Sequence, residues 1–143
     1  MEKDLFIYKD GEETLAIVIK NSFSKEGIEF FTPDEFSQQL AYMNHKKGKI
    51  IRAHLHNPVK REVHFTQEVL FIKRGKLKVN LYSKNKNPVN FFTLEAGDVI
   101  LLVSGGHGFE VLEDIEMLEV KQGPYAGEKD KTFLEEITGD TSK

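Results

Sequence analysis

Short β-forming runs, each closed off by turn residues, recur along the whole chain, and no stretch sustains the 3.6-residue apolar period of a long helix. Leu5–Tyr8 and Thr14–Lys20 flank Lys9-Asp10-Gly11-Glu12-Glu13, which carries the Asp-Gly signature of a hairpin. Ile28–Phe31, Gln38–His45, Ile50–His56, Thr66–Lys73 and Lys76–Tyr82 read as further strands, the last by its alternation of Leu77, Val79 and Leu81 with polar residues. Phe91–Leu94, Asp98–Val103, Gly108–Leu112 and Ile115–Lys121 complete the series. Thr32-Pro33-Asp34-Glu35 pairs a capping hydroxyl with Pro at the first position and an acid three residues after the cap, so a short helical turn is expected near residues 33–37. Strands at this spacing predict an all-β chain, an antiparallel sandwich or barrel. With no repeat or linker in view, residues 1–143 are expected to form a single domain, with N-terminal strands in 1–32 and a looser tail over 122–143.

Composition removes whole classes of function. Cysteine is absent, which excludes disulfides, thiolate metal sites, iron–sulfur clusters and cysteine nucleophiles. Twenty basic residues against 23 acidic ones give a net charge of −3, with the signs interspersed. That pattern argues against a surface built for nucleic acid or an anionic membrane. The longest apolar runs, Leu15–Ile19 and Val99–Val103, are five residues each, where a spanning helix needs about 20. No basic and apolar signal pattern follows Met1-Glu2-Lys3-Asp4, so the expected location is the cytoplasm.

Any metal or acid–base chemistry must therefore use nitrogen and oxygen. On a strand, His54 and His56 point to one face, ~7 Å apart, and closely spaced ligands on one rigid element suit a metal. Glu68, Leu70 and Ile72 share one face of the next strand, an acid at the end of an apolar row. A buried ionised carboxylate is costly unless it is paired or metal-bound. Gly97-Asp98 then opens a strand that ends in Ser104-Gly105-Gly106-His107-Gly108-Phe109.

These residues resemble the two motifs of the cupin superfamily, small double-stranded β-helix or jelly-roll barrels. Gly48, His54, His56, Glu68 and Gly75 fall on the first, and Gly97, Gly105 and His107 on the second, so residues 48–111 form the motif-bearing core. The chain departs from the pattern in three places. Eleven residues separate His56 from Glu68, where the family allows three or four. His107 comes one residue early. Val103 and Val111 stand at the proline and asparagine positions. The resemblance implies a metal held by His54, His56, Glu68 and His107. Glu62 is a rival carboxylate, less favoured because it follows Lys60-Arg61 and has no glycine at the required distance.

Three imidazoles and a carboxylate suit one divalent transition metal, whether Fe, Mn, Ni, Co, Cu or Zn. Such a centre supports Lewis-acid or oxygen chemistry. Arg52 shares the parity of the histidines, where it could clamp an anionic ligand or form a structural ion pair. His64 is read as a pocket residue, a fifth ligand or a solvated loop residue. Phe109 and Tyr42 are expected to wall the cavity, and His45 to be exposed beside Lys46-Lys47. The expected function is a metal-dependent enzyme (an isomerase or epimerase, a lyase or a dioxygenase) acting on a small polar, anionic or carbohydrate-like molecule. A non-catalytic metal-dependent binding module is the alternative. The tail around Gly123-Pro124-Tyr125 either closes over the barrel or contacts a second subunit, and a homodimer is the expected state.

Overall fold

The computed structural model describes residues 4–134; of the expected tail, 135–143 lie outside the described residues. Strands dominate, as the turn rhythm requires. β1 (Leu5–Asp10) and β2 (Glu13–Ile19) form the expected hairpin about Gly11. β2 pairs β7 (Val99–Leu102), and β7 pairs the first residues of β5 (Glu68–Tyr82). β6 (Pro88–Glu95) pairs the second half of β5, while β8 (Gly106–Lys121) runs antiparallel along the opposite edge of β5. The result is a strongly curled antiparallel sheet, a half-barrel. β3 (Gly27–Phe30) and β4 (Ala41–Asn44) make a separate two-stranded hairpin. No helix among the described residues is long and apolar enough to cross a membrane.

The two unbroken apolar runs are explained by burial on both faces. Ala16, Val18, Leu70, Ile72, Leu77, Val79, Ile100 and Leu102 belong to the main core cluster. Ile17, Leu101 and Val103 belong to a second, covered by Phe31, Phe36, Leu40 and Val69. The β3–β4 hairpin and the loop inside it are thus the lid over the far side of β2 and β7. Outside this region one face is enough, and β5 reverts to alternation.

The Arg74-Gly75 punctuation predicts the end of a strand, but β5 runs through it. The register against β8 shifts between Ile72 and Arg74 and again between Arg74 and Lys76, so the glycine marks a bulge rather than a turn. Gly75 has φ +97°, and a Cβ there would lie 2.0 Å from the Asp114 carbonyl oxygen. Opposite it, Glu113-Asp114 sits inside β8, which likewise joins two strands expected to be separate. A bulge bends its strand and increases its twist, and this one lies where the sheet must curl.

Asp98 fastens the β6–β7 turn. It is 2 % exposed, accepts hydrogen bonds from the backbone N–H of Asn21 at 2.8 Å and of Glu95 at 2.7 Å, and meets Lys20 Nζ at 2.7 Å. Gly97 precedes it at φ +89°, with the Asn21 side chain filling the space a Cβ would need.

Two further expectations, the Thr32 cap and the Ile50–His56 strand, are corrected. The helical turn near 33–37 is a single hydrogen-bonded turn, with Phe36 N–H donating to the Pro33 carbonyl at 3.1 Å. The Thr32 hydroxyl does not cap a helix; it donates to Gln39 Oε1 and accepts from Leu40 N–H, closing the loop on itself. Ile50–His56 is not a strand. Residues 46–66 are exposed and carry no ladder, because a strand composition without a neighbouring edge has nothing to pair with.

Gly75→Ala should cost several kcal/mol, since it combines positive-φ strain of ~1–3 kcal/mol with a backbone collision. Gly11→Ala, with φ +60° and open space, should cost only the strain. Thermal unfolding of both variants checks this; equal losses would contradict the close approach at Asp114. Asp98→Ala leaves two part-buried N–H donors and the Lys20 ammonium without this partner, and should lose ~1–3 kcal/mol in urea unfolding. A loss under about 1 kcal/mol would contradict its fastening role.

Candidate functional site

Glu68 opens β5 and is 8 % exposed, with Leu70 and Ile72 of the main core continuing its row. His107 stands near the start of β8, where its register partner is Leu81, thirteen residues beyond Glu68. A flat strand of that length spans about 43 Å. Yet His107 Nε2 lies 3.0 Å from Glu68 Oε1. The curl through the Gly75 bulge, together with the β7 return that places Leu102 opposite Glu68, brings the two ends of the β5–β8 ribbon together.

The pair has a definite electrostatic character. The His107 hydrogen bond holds the Glu68 carboxyl below the ordinary carboxylate range, against the opposing effect of burial, with smaller help from Glu119 and Lys121. Glu119, on β8 two residues before Lys121, moves the other way: burial raises it first, and the charge of Glu68 raises it further. Two neighbouring carboxyls pushed apart in this way make one acceptor and one group that holds its proton to higher pH. Glu119 is a site residue that the sequence reading misses. Its signal is present, since Ile115, Met117 and Glu119 repeat on β8 the pattern of an apolar row ending in an acid.

The other expected ligands lie elsewhere in the chain. His54 and His56 are exposed on the 46–66 arm, with ring centroids 5.1 Å apart at 71°. His54 Nδ1 sits 2.8 Å from the Arg52 carbonyl oxygen, which can only accept, so Nδ1 carries a proton and a neutral ring has its Nε2 lone pair free for a metal. Among the described residues no group of three or more His, Asp or Glu side chains is gathered where it could hold a metal ion. The donor set has the right chemistry, but within one chain it forms two pairs rather than one cluster.

Of the expected ligand-contacting residues, Arg52 is exposed on the arm rather than inward-facing. His64 is also exposed, with Nε2 3.8 Å from Glu62 Oε1, and Glu62 is itself 87 % exposed. Phe109 flanks the site, its ring centroid 5.4 Å from that of His107. Tyr42 packs edge-on against Phe23 in the β3–β4 layer, 4.9 Å between centroids, instead of walling a cavity. His45 is half-buried rather than exposed, and its Nε2 has no hydrogen-bond partner.

The returning limb of the arm lines two open grooves. One, of about 1150 Å³, lies between Arg61–Thr66, the 34–39 loop and Gln122–Pro124. The other, of about 570 Å³, adjoins Gln67, Val103 and Ser104. The tail stays on its own chain at its first residue: Gln122 N–H donates to the Gln67 carbonyl at 3.0 Å, and Gln38 Nε2 donates to Gln122 Oε1 at 3.1 Å. Farther on, Leu134 comes within 3.0 Å of where a Gly106 Cβ would lie, one residue from His107. No family model, curated protein or solved structure matches the chain.

Because its folded-state titration is depressed, Glu68 should stabilise the fold fully above the ordinary carboxylate range near about 4.3 and lose that contribution as pH falls through its lower folded value. Discounted for the 33 % exposure of the His107 side chain, the effect should be at most ~1 kcal/mol. Urea unfolding of wild type and Glu68→Gln between acid and neutral pH checks it. A wild-type advantage that grows on acidification would contradict the pairing.

Proposed function

We propose that the chain is a metal-dependent small-molecule protein of the cupin kind, acting on a small polar, anionic or carbohydrate-like compound. The observation that carries this reading is the Glu68–His107 pair: two residues from the two cupin-like motifs, 39 positions apart in sequence, meet at 3.0 Å at the rim of a curled β-sheet. An acid ending an apolar row is costly without such a use. His54, His56, Glu68 and His107 would hold one divalent transition metal, which supplies Lewis-acid or redox chemistry when bound.

The chain's own residues then divide the remaining work. Glu68 stays ionised and accepts. Glu119 lies beside it on β8 and borders the site. Phe109 shields one side of His107, and the arm brings Arg52 and His64 as polar contacts for an anionic ligand. The same reading includes a cytoplasmic homodimer with no nucleic-acid or membrane partner.

Metal analysis of the purified, dialysed protein tests the reading. About one transition-metal ion per chain is expected, with His54→Ala, His56→Ala and His107→Ala each losing it while the β-sheet spectrum persists. Glu68→Gln should lose more metal than Glu62→Gln. A chain that takes up no Fe, Mn, Ni, Co, Cu or Zn overturns the proposal. Oxygen uptake with candidate substrates would mark a dioxygenase, and tight ligand binding without turnover a non-catalytic binding module.

A further inference from the structure

The chain carries two half-sites that do not meet, one on the curled sheet and one on an exposed arm. The arm spans residues 46–66, all exposed, and its apolar residues are bare: Ile50 is 84 % exposed, Leu55 90 % and Ile51 59 %. On the sheet, β8 is 16 residues long and pairs only with β5 among the described residues, so its other edge offers a row of unpaired backbone groups. Along it Val111, Leu118 and Val120 are also more than half exposed. A long edge strand with unpaired backbone groups is a template for pairing with another strand, and this one presents its apolar residues between Glu110, Glu113, Asp114, Glu116 and Glu119.

His107 lies on that same edge strand. A segment paired along β8 at His107 would bring its side chains to that site, and Ile50–His56, a strand in composition with no partner, is of the right kind. The arm's own sheet is poorly placed to receive it. Both roots of the arm lie on the side of the second core cluster: β4 belongs to the hairpin layer there, and Gln67 is clamped by Gln38 N–H at 3.1 Å beside Phe36 and Leu40. Gln67 shares strand parity with Val69 of that cluster. Glu68 shares parity with Leu70 and Ile72 and faces the opposite side.

We propose that two copies of the chain exchange their arms, so that Ile50–His56 of one copy pairs with the free edge of β8 of the other and its His54 and His56 complete the metal site at Glu68 and His107 there. The exchange is reciprocal about a two-fold axis, covers both bare surfaces at once, and makes each site a product of two chains. It rests on the metal reading above and adds where the missing ligands come from.

Complementation between variants separates the two. One chain carries His54→Gln with His56→Gln, the other Glu68→Gln with His107→Gln, and differently tagged copies are co-expressed so that the mixed dimer can be isolated. Each homodimer should bind no Co(II). With exchanged arms the mixed dimer regains one intact site and binds one Co(II) per dimer, half the wild-type stoichiometry. A mixed dimer that binds none, while wild type binds one per chain, overturns the exchange and leaves the metal reading standing. Wild type that binds none overturns the metal reading itself. Circular dichroism confirms that each variant folds. Independently, Ile51→Asp with Leu55→Asp should turn a wild-type dimer into a monomer in sedimentation equilibrium; a wild type that is monomeric, or a variant that stays dimeric, overturns the exchange.

Discussion

The curl of the β5–β8 ribbon is the constraint on which the rest of the site depends. Two antiparallel strands of 15 and 16 residues would keep their ends far apart if they were flat. The bulge at Gly75, with the Asp114 carbonyl filling the space a side chain would take, lets the ribbon bend there. The buried carboxylate of Asp98 then holds the β6–β7 turn against Asn21, Glu95 and Lys20, which fixes β7 beside the start of β5. Glu68 and His107 meet because of these two devices acting together.

Burial on the two sides of the sheet divides the labour further. The β2–β7 region is covered on both faces, by the main core on one and by Phe31, Phe36 and Leu40 on the other. This doubly covered slab anchors the mouth of the half-barrel, while the arm leaves from the covered side. An acid–imidazole pair on the slab's edge and an imidazole pair on a projecting arm are complementary parts, and the proposed exchange joins them without any change to the core.

The parts of the fold legible in the sequence are those governed by local chemistry. The Asp-Gly hairpin and the alternation of Leu77, Val79 and Leu81 follow from turn preference and period. Arg74-Gly75 misleads because a glycine at positive φ serves equally in a turn and in a bulge, and only the partner strand decides which. Ile50–His56 misleads for a related reason: strand composition is local, whereas pairing is not, and no edge of its own sheet receives it. The Glu68–His107 meeting is legible as a motif but not as geometry, since it depends on a curl generated far from either residue. Glu119 emerges only when the parity of β8 is followed past Met117.

The central claim, that residues from the arm and from the sheet form one nitrogen- and oxygen-ligated centre, is tested most directly by X-ray absorption of the Co(II)-loaded full-length protein. A coordination shell of nitrogen and oxygen with multiple scattering from three imidazole rings is the expected result. A shell with one imidazole or none, filled by water, would contradict it.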